Sequence, residues 1–237
     1  MMNPATILDD MRLNVLSIHY PALQQYLKIN KHLDLDFEWD NNEALIQLNI
    51  ALFDHYFEIM WKFPCNGKYL IPRLPIRLKY LCWISELLPR IPEFQSNQEK
   101  TTFDGIDIGT GANLVLPLLG KSVFNWKFLG TEINKSSLKQ ATKILSKNPG
   151  FESRIELRKV ESGFLKGVVS KKTEQFRFLC CNPPFYSNKK QKELIEKKNF
   201  TGASHEIYYK HGEVGFIFDI IKESLKFVGS IGVFTCF

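Results

Sequence analysis

Apolar runs typical of strands alternate with helical patterns along the second part of this 237-residue chain. The strands are predicted near 104–109, 128–132, 155–160, 176–181 and 231–236. The helices are predicted near 112–119, 135–147 and 213–227. Because strands separated by helices need crossover connections, which are right-handed, this alternation predicts an α/β fold built around a parallel sheet.

The first part of the chain has mainly helical patterns instead. Residues 41–61 form a predicted amphipathic helix, because apolar residues recur there at helical spacing, at Leu45, Leu48, Leu52, Tyr56 and Ile59. Asp40 followed by Glu43 resembles a capping box at the start of this helix. We therefore predict a small, mainly helical module over residues 1–70, followed by the α/β domain over residues 71–237.

The composition is that of a globular protein, with 44% hydrophobic and 24% charged residues. The net charge of +6 is a weak indication of a polyanionic partner. No apolar stretch approaches the roughly 20 residues that span a bilayer, so we expect no membrane segment. The five histidines show no metal-ligand spacing, so we expect no metal. Cys180 and Cys181 are adjacent in a predicted strand, which should point their side chains to opposite faces.

A stiff loop, Asn182-Pro183-Pro184-Phe185, follows the predicted strand 176–181. Open parallel sheets bind ligands at the carboxyl ends of their strands, so this loop is a candidate site. The side-chain oxygen of Asn182 and the carbonyl of Pro183 can accept the two protons of an amino group, while Phe185 stacks on a flat ring. This arrangement suits methylation of a planar amine. The alternative interpretation is an ordinary proline-stiffened turn.

A second constellation lies around the first predicted strand of the α/β domain. Gly109 and Gly111 allow a sharp turn and a close backbone approach to a ligand, with Thr110 between them. Position 114 is Leu, so the third glycine of a dinucleotide-binding fingerprint is missing. Asp107 would face a ligand amine or a bound water, and Glu132 at the end of the second strand can accept bonds from both ribose hydroxyls of an adenosine. Together with the loop, these residues predict an S-adenosyl-L-methionine site.

Lysines flank the Asn182–Phe185 loop on both sides, at positions that include Lys166, Lys189, Lys190 and Lys192. A solvated surface explains such lysines about as well as a phosphate contact does, but their position around a candidate active site favours RNA phosphates. Residues 186–212 show little periodicity. We interpret them as a mobile substrate loop.

At these residues the chain resembles the methyltransferase-like protein 16 family. The resemblance runs from about residue 20 to the C-terminus. It is carried by Pro75–Tyr80, Asp107–Ala112 with Pro117–Gly120, Thr131-Glu132, Asn182–Phe185, Thr201-Gly202 and Gly212–Val214. Eukaryotic members of this family methylate adenine N6 in U6 small nuclear RNA, and bacterial relatives methylate adenine N6 in large-subunit ribosomal RNA.

The resemblance implies a Rossmann-like class I S-adenosylmethionine-dependent methyltransferase. It implies that Asn182, Pro183, Pro184 and Phe185 form the catalytic loop, and that Gly109 and Glu132 contact the cofactor. It also implies that Arg77 lies near the methionine end of the cofactor, where a guanidinium can bind a carboxylate. Ser162 falls in Val160–Leu165, the segment in which the family contacts the adenine ring of the cofactor.

Two features depart from the family pattern. The family carries an arginine-rich N-terminal arm, whereas Met1–Val15 contains only Arg12, so RNA binding by such an arm is not expected here. Related folds also add two strands after the fifth predicted one. With Phe237 as its last residue, the chain is therefore expected to have a sheet that is incomplete at its C-terminal side.

From these residues and this resemblance we expect an RNA adenine-N6 methyltransferase acting on U6 small nuclear RNA. The alternatives are a ribosomal RNA adenine-N6 methyltransferase, a protein glutamine N5-methyltransferase and a non-catalytic RNA-binding relative. The partner is expected to be structured RNA with the target adenine in an unpaired segment, and the 1–70 module is a candidate RNA-binding element. We expect a monomer in the nucleus, or in the cytoplasm if the protein is of the bacterial type.

Overall fold

The structure is a computed structural model, and it describes residues 7, 11–29, 32, 35–91, 102–170, 173–190 and 202–237. Its centre is a five-stranded parallel sheet in the order β5-β4-β3-β6-β7. The strands are β3 (Phe103–Ile108), β4 (Phe128–Glu132), β5 (Ile155–Lys159), β6 (Phe176–Cys181) and β7 (Ile231–Phe234). The predicted parallel α/β architecture is confirmed.

The register of the sheet brings three strand ends together. Ile108 at the end of β3 pairs with Thr131 on one side and with Cys181 on the other. Within the sheet, β4 is the neighbour of β3 on one side and β6 is its neighbour on the other, so the strand order reverses direction at β3. This is the switch point at which open α/β sheets form a ligand crevice.

Three helices around this sheet were predicted and differ from the predictions at their ends, namely α4 (Val115–Phe124), α5 (Lys135–Leu145) and α7 (Gly212–Ser224). The structure also contains α3 (Leu74–Leu87) and the short helix α6 (Ser204–Ile207). Helix α6 was not predicted, because it lies within residues 186–212, which we interpreted as an irregular loop. The prediction that a helix begins at residue 112 was wrong, because Leu114 has a left-handed conformation with φ 55° and α4 begins after it. Among the described residues, no helix is both long and apolar enough to cross a membrane.

The N-terminal region contains α1 (Leu13–His19), a 3₁₀ helix over Pro21–Tyr26, and α2 (Asn42–Phe57). A short antiparallel ribbon joins β1 (Leu27–Ile29) to β2 (Leu35–Phe37). The capping residue of α2 is Asn41 and not Asp40, because the Asn41 side chain accepts hydrogen bonds from the backbone N–H groups of Glu43 and Ala44. The helix therefore begins one residue later than the capping-box pattern indicated.

Buried apolar residues form two clusters, one on each face of the sheet. The larger cluster contains residues of α1 and α2 together with residues of α3, α4 and α5, and it includes Cys180. The smaller cluster contains Cys181 with Phe164, Phe216 and Ile220. The adjacent cysteines therefore point to opposite faces, as predicted. The N-terminal elements share a core with the α/β layer, and a domain boundary at residue 70 stays a prediction.

We expect Gly120→Ala to destabilise the fold, although alanine is the better helix former. A Cβ at Gly120, inside α4, would lie 2.2 Å from Cε2 of the fully buried Phe128 ring. This overpacking should cost about 3 kcal/mol, against a gain of about 1 kcal/mol from helix propensity. Urea unfolding should therefore show a net loss of about 2 kcal/mol. Ser122→Ala on the same helix is the control, and an equal loss there would contradict this explanation.

Candidate active site

A cavity of about 510 Å³ opens at the carboxyl ends of β3, β4 and β6. Many of the residues predicted from sequence line it, namely Arg77, Asp107, Gly109, Thr110, Gly111, Glu132, Ser162, Asn182 and Pro184. Pro183 and Phe185 are not among its lining residues. The cavity has the size and the mixed apolar and polar walls typical of a small-molecule site.

The turn after β3 presents backbone without side-chain obstruction. Gly109 and Gly111 have φ values of 69° and 66°, in the left-handed region that favours glycine. The backbone N–H of Thr110 donates to the carbonyl of Thr131 at 2.8 Å, which connects the turn to β4. A Cβ at Gly111 would lie 3.3 Å from Oε1 of Glu206. The conformation of this turn therefore depends on glycine at both positions.

Glu132 is a buried carboxylate at the end of β4, with 2% exposure. Its Oε2 accepts from the backbone N–H of Gly111 at 3.0 Å, and its Oε1 accepts from that of Asn134 at 2.7 Å. Burial raises the pKa of Glu132 to about 7, although these backbone donors act in the opposite direction. A carboxylate has about four lone-pair sites, so Glu132 retains acceptor capacity for ligand hydroxyls.

Asp107 and Arg77 are two further buried ionisable groups in the cavity wall. Burial raises the pKa of Asp107 to about 7 and lowers the pKa of Arg77 to about 10. The attraction between the two groups opposes both shifts. The Arg77 guanidinium carbon lies 3.9 Å from the centre of the Phe237 ring. Arg77 therefore stays charged at neutral pH and can bind a ligand carboxylate.

We expect Asp107→Asn to change how stability depends on pH. Because the pKa of Asp107 is raised in the folded protein, from 3.8 to about 7, its stability contribution is present below pH 4 and is lost as pH rises to 7. Relative to the Asn variant, the wild-type protein should therefore lose stability between pH 5 and pH 8. Urea unfolding of the ligand-free proteins at both pH values measures this. If the difference in unfolding free energy between wild type and variant were the same at pH 5 and pH 8, the raised pKa would be contradicted.

The short helix α6 brings two residues to the cavity that the sequence did not predict, His205 and Glu206. Glu206 Oε2 accepts from the backbone N–H groups of Leu70 at 2.9 Å and Ala203 at 2.8 Å. His205 Nε2 lies 3.7 Å from Glu132 Oε1, and burial lowers its pKa, which favours the neutral ring. The contact that joins Glu206 to the cavity wall was not predictable from a local motif, because Leu70 lies 136 positions from Glu206 in the sequence.

The predicted catalytic loop follows β6 directly. The Asn182 Oδ1 atom is buried and has no hydrogen-bond partner among the described residues. Pro183 is buried, and the half-buried Phe185 ring lies 6.2 Å from that of Tyr186. An unsatisfied buried acceptor costs about 1–3 kcal/mol, so Asn182 Oδ1 is placed to receive a donor from a ligand.

Three of the four lysines predicted to contact RNA lie in the described part of the chain. Lys166, Lys189 and Lys190 are exposed, whereas Lys192 lies outside the described residues. The two described ends of the predicted substrate loop meet, because Tyr186 N donates to the Ile207 carbonyl at 3.0 Å.

Within the part of the chain that the structure describes, no group of three or more His, Cys, Asp or Glu residues could hold a metal ion.

A model of an RNA methyltransferase family matches residues 7–237. The chain belongs to this family. It is 35% identical, over 91% of its length and 73% of the relative's, to "Ribosomal RNA large subunit methyltransferase F" of Flavobacterium johnsoniae. The protein of the same name in Christiangramia forsetii is 33% identical over 96% of this chain and 82% of that protein. The structure is similar to the human METTL16 catalytic domain in complex with the MAT2A 3'UTR hairpin 1, with a TM-score of 0.79 and 28% identity over 94% of this chain and 76% of that one.

This RNA methyltransferase therefore has the expected Rossmann-like class I fold. The N-terminal domain of human METTL16 in complex with SAH (S-adenosylhomocysteine) has a TM-score of 0.73 and 28% identity, covering 94% of this chain and 77% of that one. The cofactor is S-adenosylmethionine. The cavity fits this group, because it combines a buried cation, buried carboxylates and a turn whose glycines adopt left-handed conformations.

Proposed function

We propose that this methyltransferase modifies N6 of an adenine in large-subunit ribosomal RNA. The observation that carries the proposal is the buried Asn182 Oδ1 at the carboxyl end of β6, which has no partner within the described part of the chain. The exocyclic amine of adenine offers two N–H donors and a flat ring. An amide acceptor, a carbonyl and an aromatic ring in one loop match both features. The names of the curated relatives support ribosomal RNA as the substrate.

Bound S-adenosylmethionine supplies an electrophilic methyl group on a sulfonium. Asn182 Oδ1 and the Pro183 carbonyl accept hydrogen bonds from the two N–H groups of the amine. These two bonds turn the lone pair of the amine nitrogen towards the cavity. This increases tetrahedral character at a nitrogen whose lone pair is otherwise delocalised into the ring. Because the methyl is already electrophilic, orientation should provide most of the acceleration.

The remaining assignments concern how the chain holds its two ligands. Glu132 would accept bonds from the cofactor ribose, and Arg77 would bind its carboxylate. Phe185 would stack on the base that is turned out of the RNA, as enzymes acting on a base require. The exposed lysines, of which Lys166 and Lys189 are examples, would contact RNA phosphates.

Three alternatives have less support. U6 small nuclear RNA and a nuclear location stay predictions, whereas a ribosomal substrate in a bacterium would place the protein in the cytoplasm. A protein glutamine methyltransferase would use the same loop on an amide, but its substrate offers no use for the exposed lysines. A non-catalytic RNA-binding relative would not need the unpartnered Asn182 acceptor. A monomeric state and independence of metal remain parts of the proposal.

The deciding experiment incubates the protein with labelled S-adenosylmethionine and one of three substrates. These are large-subunit ribosomal RNA transcribed in vitro, the same RNA with inosine in place of adenosine, and a U6 transcript. We expect N6-methyladenosine in the first RNA and no label in the second, because inosine lacks the amine. Label in the inosine RNA would contradict adenine N6, and preferential labelling of the U6 transcript would contradict the ribosomal substrate.

A further inference from the structure

The segment after β5 forms one wall of the active-site cavity. We call residues 160–167 the wall loop. Its residues Val160 to Phe164 line the active-site cavity. Ser162, Gly163 and Phe164 also line a second cavity of about 680 Å³ on the other side of the loop. The wall loop therefore separates two cavities, and its side chains Val160, Phe164 and Leu165 are buried in the smaller cluster.

One carboxylate from a distant helix holds this loop. Glu223 lies in the last turn of α7, and its carboxylate accepts three backbone N–H groups of the wall loop. The donors are Phe164 at 3.1 Å, Leu165 at 2.8 Å and Lys166 at 2.7 Å. Successive N–H groups that converge in this way form an anion-binding concavity. Here an internal carboxylate occupies it, 57 to 59 positions away in the sequence.

Glu223 lies at an electrostatically unfavourable position in its own helix. A negative charge near a helix C-terminus is unfavourable, because the helix dipole is negative there. The three backbone N–H donors of the wall loop offset this unfavourable interaction with the helix dipole. Phe216 and Ile220 precede Glu223 on one face of α7, and both are buried with Phe164 in the smaller cluster. This face of α7 therefore meets the wall loop with apolar contacts and ends in the carboxylate.

Gly163 shows how closely the carboxylate fits the loop. It has a φ of 71°, and a Cβ there would lie 2.7 Å from Oε2 of Glu223. Gly167, at the end of the same loop, has a similar φ of 79°, but no atom of the described residues lies within 4 Å of its Cβ position. The two glycines share a backbone requirement, and only Gly163 is also constrained by Glu223.

We propose that Glu223 is a positioning residue, which fixes the wall loop and thereby sets the affinity of the active-site cavity for the cofactor. The inference rests on the proposed placement of the cofactor in this cavity. Glu223 is not among the lining residues of the active-site cavity. It acts through the backbone of residues 164–166 and should therefore affect binding more than the chemical step.

The test measures binding of S-adenosylhomocysteine to the full chain by calorimetry, without RNA. Glu223→Gln keeps the size of the side chain but replaces one acceptor oxygen by a donor, and we expect Kd to rise about tenfold. Hydrogen exchange at residues 164–166 should accelerate in the ligand-free protein, and kcat at saturating cofactor should stay within about twofold of wild type. Glu213→Gln, an exposed glutamate on the same helix, is the matched control.

A second pair of variants keeps the proposal testable if Glu223→Gln does not fold. Gly163→Ala and Gly167→Ala impose similar backbone strain, and only the first should weaken binding of S-adenosylhomocysteine beyond its control. A lower melting temperature with an unchanged Kd in Glu223→Gln would reduce the carboxylate to a structural role and overturn the proposal. If Glu132→Ala also left Kd unchanged, the placement of the cofactor itself would be wrong, which is a separate failure.

Discussion

Asn182→Ala should lower kcat for RNA methylation by about 10²–10³-fold, the loss typical of removing one oriented hydrogen-bonding group from an active site. Among the residues that the structure describes, the buried Asn182 Oδ1 atom has no hydrogen-bond partner, so the change breaks none of the described hydrogen bonds of this atom. The amine would lose one of the two acceptors that orient its lone pair. Single-turnover methylation of ribosomal RNA, with cofactor saturating, is the appropriate measurement.

Two controls distinguish a loss of amine orientation from a loss of folding or of cofactor binding. Binding of S-adenosylhomocysteine to Asn182→Ala should stay within about threefold of wild type, since the expected effect lies in the chemical step. Asn125→Gly, at an exposed left-handed position after α4 that glycine also adopts, should keep full activity. Normal turnover in the Asn182 variant would rule out its proposed role, and the Asn182–Phe185 loop would then be a structural turn.

The parts of the site that sequence predicted are those whose chemistry is local. The glycine turn at 109–111 and the loop at 182–185 each combine a backbone requirement with a ligand-binding group within four residues. Their position after predicted strands placed them at one edge of a parallel sheet before any contact was known. Glu132 was predictable for the same reason, as the last residue of an apolar strand.

The parts that sequence missed depend on contacts between distant segments. Glu206 accepts from the distant Leu70 as well as from the nearby Ala203, and Glu223 accepts from the wall loop, so the local sequence does not show that either residue lies at the cavity. Helix ends were missed for a different reason. The start of α4 is set by a leucine in a left-handed conformation, a choice that tertiary packing imposes against local preference.

Glu132→Ala should raise Kd for S-adenosylhomocysteine about 100-fold. Its carboxylate already accepts from the backbone N–H groups of Gly111 and Asn134, and the proposed ribose contacts would use its remaining lone pairs. Losing two hydrogen bonds to a charged group costs about 3 kcal/mol, which corresponds to about two powers of ten in affinity. Glu86→Ala, at an exposed position of α3, is the control and should bind normally.

The same variant should also flatten the pH dependence of binding. Burial raises the pKa of Glu132 to about 7, and hydroxyl donors favour the charged carboxylate. Wild-type affinity should therefore fall as the pH is lowered from 8 to 6, because binding then requires Glu132 to lose a proton. Asp107, whose pKa is also about 7, remains in the variant and leaves a residual slope. Calorimetry at the two pH values measures both slopes. An equally steep dependence in wild type and variant would mean that Glu132 does not contact the cofactor as a carboxylate.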